Sequence, residues 1–339
     1  MKRWRGMIAV AVATAMTLGA CGSTAEDSRD GNIKIVVTFS TLGDLVSNVA
    51  GSEATVVVLM PLGADPHSFS PSSQQVAEMN DADLVVVNGL GLEEGFASVL
   101  EGVVADGGRV LELAPLLDPI PFGFDDHDHD EDGDHDDDHD DDGDHDDDGD
   151  HDDDHDEDGD HDHSIDPHVW MDPLRLADAA IILAAELNEL DPDGGWTERG
   201  ADYASELEEL HAEIEEELSV IDPSDRLLVT NHDALGYFAE RYDFEVVGTV
   251  IPGGSTLGDP SSEALASLVA TMRDLEVRVI FAETTQPSAL ADAVARELGG
   301  EVAVVELFTG SLSEPGSDAE TLIDMLRTNA SRIARSLGS

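Results

Sequence analysis

Thirteen histidines stand in this chain, and their placement is its clearest chemical signal. Nine of them fall in residues 125–163: His127, His129, His135, His139, His145, His151, His155, His161 and His163. The rest of that tract is 24 Asp, 2 Glu and 4 Gly. Imidazole suits zinc, copper and nickel, so a His-rich tract reads as metal capture. A purely solvated acidic spacer needs no imidazole. With no apolar side chain to offset the entropy of ordering, the tract is expected to be disordered. Asp oxygens also suit calcium, but His adds nothing for calcium, and the apolar position of a calcium β-roll repeat is missing.

Four histidines lie outside the tract. His67, His168 and His232 each sit in a turn marked by Gly, Pro or Asp: PLGADPHSF, DPHVWMDP and LVTNHDALGYF. In open α/β sheets, ligands bind beyond the carboxyl ends of the strands, which is where such turns belong. Three neutral imidazoles suit tetrahedral zinc. Asp65, Asp166 and Asp233 neighbour them in sequence and are candidates to orient the rings. His211 falls inside a long charged helical stretch and is assigned no role. Three imidazoles and an open position also describe a hydrolytic zinc site. The chain carries no H-E-x-x-H and no nucleophile elbow, however, so no enzyme is expected.

The elements that must position these side chains follow from hydrophobic patterning. Buried strands are expected at residues 33–40, 55–60, 83–88 and 110–113, with helices at 41–50, 72–80 and 91–104 between them. After the acidic tract come helices at 173–190 and 197–220. In the second of these, Leu207, Leu210, Ile214 and Leu218 keep the 3–4 spacing of one helix face, and Pro223 is expected to end it. A second α/β series follows, with strands at 226–230, 245–251, 277–282 and 302–307. Its helices are expected at 261–275, 287–298 and 320–336, with Pro287 at the first helical position of one of them and Gly299-Gly300 at its end. Such alternation signals parallel sheets flanked by helices. The fold class is α/β: two Rossmann-like lobes joined by one long rigid helix.

The ends and the charge bound the setting. Lys2, Arg3 and Arg5 precede an apolar stretch from Met7 to Leu18 that is too short to span a bilayer. Leu18-Gly19-Ala20-Cys21 resembles a bacterial lipobox, with the single cysteine at the position that would be lipidated. Residues 1–20 therefore read as a signal peptide and 21–32 as a tether. They are followed by an N-terminal lobe at 33–196, a linking helix at 197–221 and a C-terminal lobe at 222–339. One cysteine permits no intramolecular disulfide. Of the 76 acidic residues 26 lie in the tract, and outside it 50 acids still face 16 bases. Such a surface repels nucleic acid and anionic lipid and favours cations.

The stretches PLGADPHSFSPSSQQV, DPHVWMDP, TNHDALGYFAERY, IFAETTQPSAL and VVELFTGSL together resemble the metal-binding solute-binding lipoproteins of ABC transporters. The likeness is to the zinc-specific branch, which also carries a His- and acid-rich loop just before its second His motif, and it covers roughly residues 33 to 337. It implies two α/β lobes bridged by a rigid helix, with zinc (Zn2+) in the cleft between them. By motif, His67 and His168 come from the first lobe and His232 from the second. Many relatives place a carboxylate ligand where this chain has Gly310, which cannot coordinate. Three His plus a water is therefore expected, or a carboxylate from elsewhere, with Glu283 the candidate. The manganese-binding branch usually has an acid where His232 stands. The resemblance further implies an exported monomer anchored by lipid at Cys21 and delivering metal to a membrane permease. The alternative is a surface metal buffer or adhesin in which the tract is the main binder.

Overall fold

The computed structural model describes residues 32–123, 165–300 and 302–338. The signal segment, Cys21 and the nine tract histidines lie outside the described residues. The first half alternates strand and helix: β1 (Ile33–Val37), α1 (Ser40–Ala50), β2 (Ala54–Val58), α2 (Ser73–Asn80), β3 (Leu84–Val87), α3 (Ala97–Ala105) and β4 (Val110–Glu112). All of these strands pair in parallel, in the order β2-β1-β3-β4. Two long helices follow, α4 (Pro173–Leu190) and α5 (Trp196–Leu218). The second half repeats the design with β5 (Leu227–Thr230), α6 (Gly236–Tyr242), β6 (Glu245–Thr249), α7 (Ser262–Asp274), β7 (Val279–Glu283), α8 (Ala289–Glu297), β8 (Ala303–Leu307) and α9 (Leu322–Leu337). Its sheet is also parallel, in the order β6-β5-β7-β8. Each order reverses once, between β1 and β3 in the first sheet and between β5 and β7 in the second. Reversal points of this kind open a crevice beyond the strand ends.

The local signals act where expected. Ser72 accepts from the Gln75 N–H while the Gln75 side chain returns to the Ser72 N–H, a reciprocal cap that starts α2. Helix α5 buries Trp196, Gly200, Tyr203, Leu207, Leu210, Ile214 and Leu218 on one face. That face packs on α4, α1 and α9, so α5 touches elements from both halves. At Gly200 a Cβ would stand 2.6 Å from the Ala184 Cβ, which is why α4 and α5 approach so closely. The residues from Ile33 onward form one compact unit, because a single hydrophobic cluster runs from the first sheet through α4, α5 and α9 to Leu228, Phe281 and Leu307 of the second. Their strand neighbours Val229, Ile280 and Ala282 face the other way, into a smaller cluster with α7 and α8.

Several boundaries differ from the sequence reading. Helix α5 stops at Leu218, and Pro223 instead opens a short 3-10 turn. Helix α8 starts at Ala289, so Pro287 precedes its N-cap Ser288. The helix expected at 91–104 opens as a 3-10 turn (Glu94–Phe96) before α3, and α6 is an addition. Strand β1 ends at Val37, and after Thr38 and Phe39 the chain enters α1 at Ser40.

One buried ionic cluster ties α4 to the second half. Asp172, fully buried, caps α4 by accepting from the Leu174 N–H. It also accepts from Arg175 at 2.8 Å and from Arg241 of α6 at 2.7 Å. Removing one member of such a cluster leaves unpaired charge. Asp172→Ala is therefore expected to lower the unfolding free energy by about 3 kcal/mol in denaturant titrations. A loss well under 1 kcal/mol would show that the cluster contributes little.

Candidate metal centre

His67 follows β2, and His232 follows β5. The sequence reading set all three histidines in equivalent turns at strand ends, and His168 departs from that. It stands at the head of a 3-10 turn (Val169–Met171) that leads into α4. The Asp-Pro-His motif works the same way in both places where it occurs. Asp65 Oδ1 accepts the His67 N–H at 3.1 Å, and Asp166 Oδ1 accepts the His168 N–H at 2.9 Å. A short carboxylate bonded to the backbone two residues on is an Asx turn, and it fixes the direction in which the histidine leaves the chain. The 166–168 turn is held further by Asn88, which donates to the Pro167 carbonyl at 2.9 Å, and by the Tyr237 hydroxyl, which donates to the Asp166 carbonyl at 2.6 Å. Trp170 Nε1 reaches across to the Thr309 carbonyl at 2.6 Å.

These turns bring three rings to one point. His67 Nε2 lies 3.2 Å from His168 Nε2, and His232 Nε2 lies 3.1 Å from the same atom. All three residues are buried, and among the described residues they form the one group of His, Cys, Asp or Glu side chains close enough to share a metal ion. Tetrahedral zinc with bonds of about 2.0–2.1 Å sets its nitrogen ligands roughly 3.3 Å apart, and both distances to His168 match that spacing. The opposite ring edges explain why lone pairs face inward. His168 Nδ1 bonds Asp166 Oδ1 at 2.7 Å, and His232 Nδ1 bonds Glu283 Oε1. With the ring proton on Nδ1, the neutral His168 and His232 rings turn Nε2 lone pairs toward each other, a repulsion that a proton or a metal ion relieves.

The electrostatics agree. Burial, reinforced by the two neighbouring rings, lowers the pKa of His67 from 6.5 to about 2. Burial also holds His168 well below its ordinary value. Burial disfavours charge on His232 as well, but the Glu283 carboxylate outweighs it and raises that ring above 6.5. In turn His232 overcomes the burial of Glu283 and holds its carboxyl below 4.5. Burial lifts Asp166 to about 7 despite the N–H it accepts.

Glu283, expected as a fourth donor, places its Oε1 on the far edge of the His232 ring and also borders the space where the three Nε2 atoms meet. Asp166 orients His168 as anticipated. Asp65 does not reach the His67 ring, and its Oδ2 accepts instead from Thr256 at 2.6 Å and Gln286 at 2.7 Å. Asp233 orients no ring, since Glu283 has that position on His232. His211 stays on α5, its Nδ1 3.2 Å from the Tyr242 hydroxyl. Thr256, Gln286, Asn88 and Trp170 carry no local signature that marks them as site residues. The space at the triad is about 10 Å³, bordered by the three histidines, Glu283, Thr285 and Gly310. That is about one water-sized position. A Cβ at Gly310 would stand 3.0 Å from Pro66 Cδ.

The His232–Glu283 pair stabilises the metal-free protein in a defined window. The raised His232 pKa contributes fully below 6.5 and is lost as pH rises through the folded value. The lowered Glu283 pKa contributes above 4.5 and is lost as pH falls through its folded value. In an NMR titration of metal-free protein, His232 is expected to titrate above free imidazole and His67 far below it. Glu283→Gln is expected to lower the His232 titration markedly, because the chief group that opposes burial is then gone and only the smaller influences of Asp65 and Asp233 remain. An unchanged His232 titration in that variant would remove Glu283 as the cause.

Comparison with known proteins matches this geometry to a family. Residues 35–336 match the family described as ZnuA, zinc-uptake complex component A, periplasmic. The manganese-binding lipoprotein MntA of Halalkalibacterium halodurans is 29% identical over 320 residues, covering 93% of each chain. The high-affinity zinc uptake system protein ZnuA of Bacillus subtilis is 26% identical over 342 residues, covering 99% of this chain and 98% of that one. The solved structure of the periplasmic zinc-binding protein TroA from Treponema pallidum superposes with a TM-score of 0.73 at 25% identity, over 91% of this chain and 99% of TroA. Two helix-flanked parallel sheets and a buried cluster of metal-ligating side chains fit that company. The chain belongs to the ZnuA family, whose members are metal-binding periplasmic receptors of ABC transporters and not enzymes.

Proposed function

We propose that this receptor captures zinc and hands it to the membrane permease of an ABC importer. His67, His168 and His232 hold the ion, and a water completes the tetrahedron. The observation that carries the choice of zinc is the donor set: three buried imidazoles, with His168 Nε2 at zinc-ligand spacing from the other two, and Glu283 Oε1 engaged at a ring edge. Manganese prefers oxygen-rich sites, whereas zinc accepts three imidazoles. Manganese is the second reading. It draws on the manganese-binding name of MntA and on Glu283 at the border of the cavity.

Export and anchoring by lipid at Cys21 complete the proposal, as does weak metal collection by residues 125–163. Phe122 and Ile165, close to either end of that tract in sequence, both line a cavity that His67 also lines. Metal gathered there is held at high effective concentration near the cleft.

The test is a zinc titration with manganese as competitor, on protein beginning after Cys21, with and without residues 125–163. One tight zinc per chain that manganese does not displace, kept after deletion of the tract, is the expected result. Manganese binding as tight as zinc would favour the second reading, and loss of all tight binding with the tract would favour a surface buffer. His67→Ala together with His232→Ala is expected to abolish the tight site. Glu283→Gln is expected to weaken zinc about 10–100-fold, since it orients a ligand without donating to the ion. Zinc must displace the His232 proton, so affinity should rise with pH through the His232 titration.

A further inference from the structure

Next to the triad lies a second, larger cavity of about 280 Å³. His67 lines both spaces, so the two share a wall. On the measure by which the triad space takes one water, the larger one takes many, enough for an ion with its first water shell. The space at the triad, about 10 Å³, holds no such shell. An ion passing from one to the other must exchange water for imidazole at His67.

Two acids line the larger cavity. Glu94 is exposed at its rim, and Ser255 of the opposite half donates to its Oε1 at 3.1 Å. Asp233 is 2% exposed and lines the same cavity. Its Oδ1 is buried with no hydrogen-bond partner. A buried carboxylate oxygen without a donor is unfavourable unless a ligand or water reaches it. Neither acid bonds a ring of the histidine triad, although the charge of Asp233 adds to those that raise His232.

We infer that this cavity is the entry vestibule of the metal site, in which Glu94 and Asp233 hold a hydrated divalent cation before it sheds water to His67. The inference rests on the reading of the triad as a metal site. A way-station lowers the barrier in both directions, so it changes rates and leaves the final affinity alone. A ligand or structural role would change the affinity itself.

The experiment is stopped-flow measurement of zinc association, and of zinc release to a chelator, on the full protein and on Glu94→Gln, Asp233→Asn and the double variant. Glu208→Gln, on the exposed face of α5, controls for net charge. Association and release are expected to slow together in Glu94→Gln, and by about tenfold in the double variant, with Kd within about twofold in Glu94→Gln and with Glu208→Gln unaffected. Glu94 is exposed, so Glu94→Gln reports even where Asp233→Asn disturbs folding. Unchanged rates in Glu94→Gln and the double variant would overturn the vestibule. So would a change confined to release and Kd, or equal slowing in Glu208→Gln. Wild-type protein without tight zinc would overturn the receptor reading first, and the vestibule with it.

Discussion

Three imidazole Nε2 atoms brought to one buried point are the constraint on which the rest of this structure depends. Neutral rings with Nε2 atoms 3.1 and 3.2 Å apart repel unless a proton or a metal stands between them. The protein holds them there from behind. Asp166 and Glu283 secure the outer edges of two rings, and an Asx turn fixes the exit of the third. A site that is unfavourable when empty and relieved by one cation is preorganised for that cation.

Holding it open to metal requires both halves of the chain to stay seated. Trp170 reaches to Thr309, Tyr237 to Asp166, Thr256 and Gln286 to Asp65, and Arg241 to Asp172. Each of these bonds joins the first half, or the turn before α4, to the second. Beneath them, α5 packs on α1, α4 and α9, and one apolar cluster serves both sheets. A helix so embedded resists a wide hinge, so discrimination between metals falls to the chemistry of the donors more than to domain closure.

Charge completes the design. Outside residues 125–163 there are still 50 acids against 16 bases, a field that draws cations toward the protein. Burial keeps His67 and His168 neutral, so they do not oppose the incoming ion. The same acidity that would keep nucleic acid away concentrates the cargo.

The amino-acid sequence by itself determined what depends on near neighbours. Period and β-branching marked the strands and helices, Ser72 and Gln75 capped α2, and Gly299-Gly300 closed α8. The Asp-Pro-His turns singled out His67 and His168 before any fold was known, and composition set the tract at 125–163 apart. Tertiary structure alone decided what depends on distant partners. His67 meets His168 across 101 positions, His168 meets His232 across 64, and His232 meets Glu283 across 51. No local pattern places Glu283 on a ring edge, sets Thr256 and Gln286 on Asp65, or puts His168 ahead of α4 instead of at a strand end. Turn and helix signals act over a few residues, whereas the direction of a buried side chain is set by the packing of the elements that carry it.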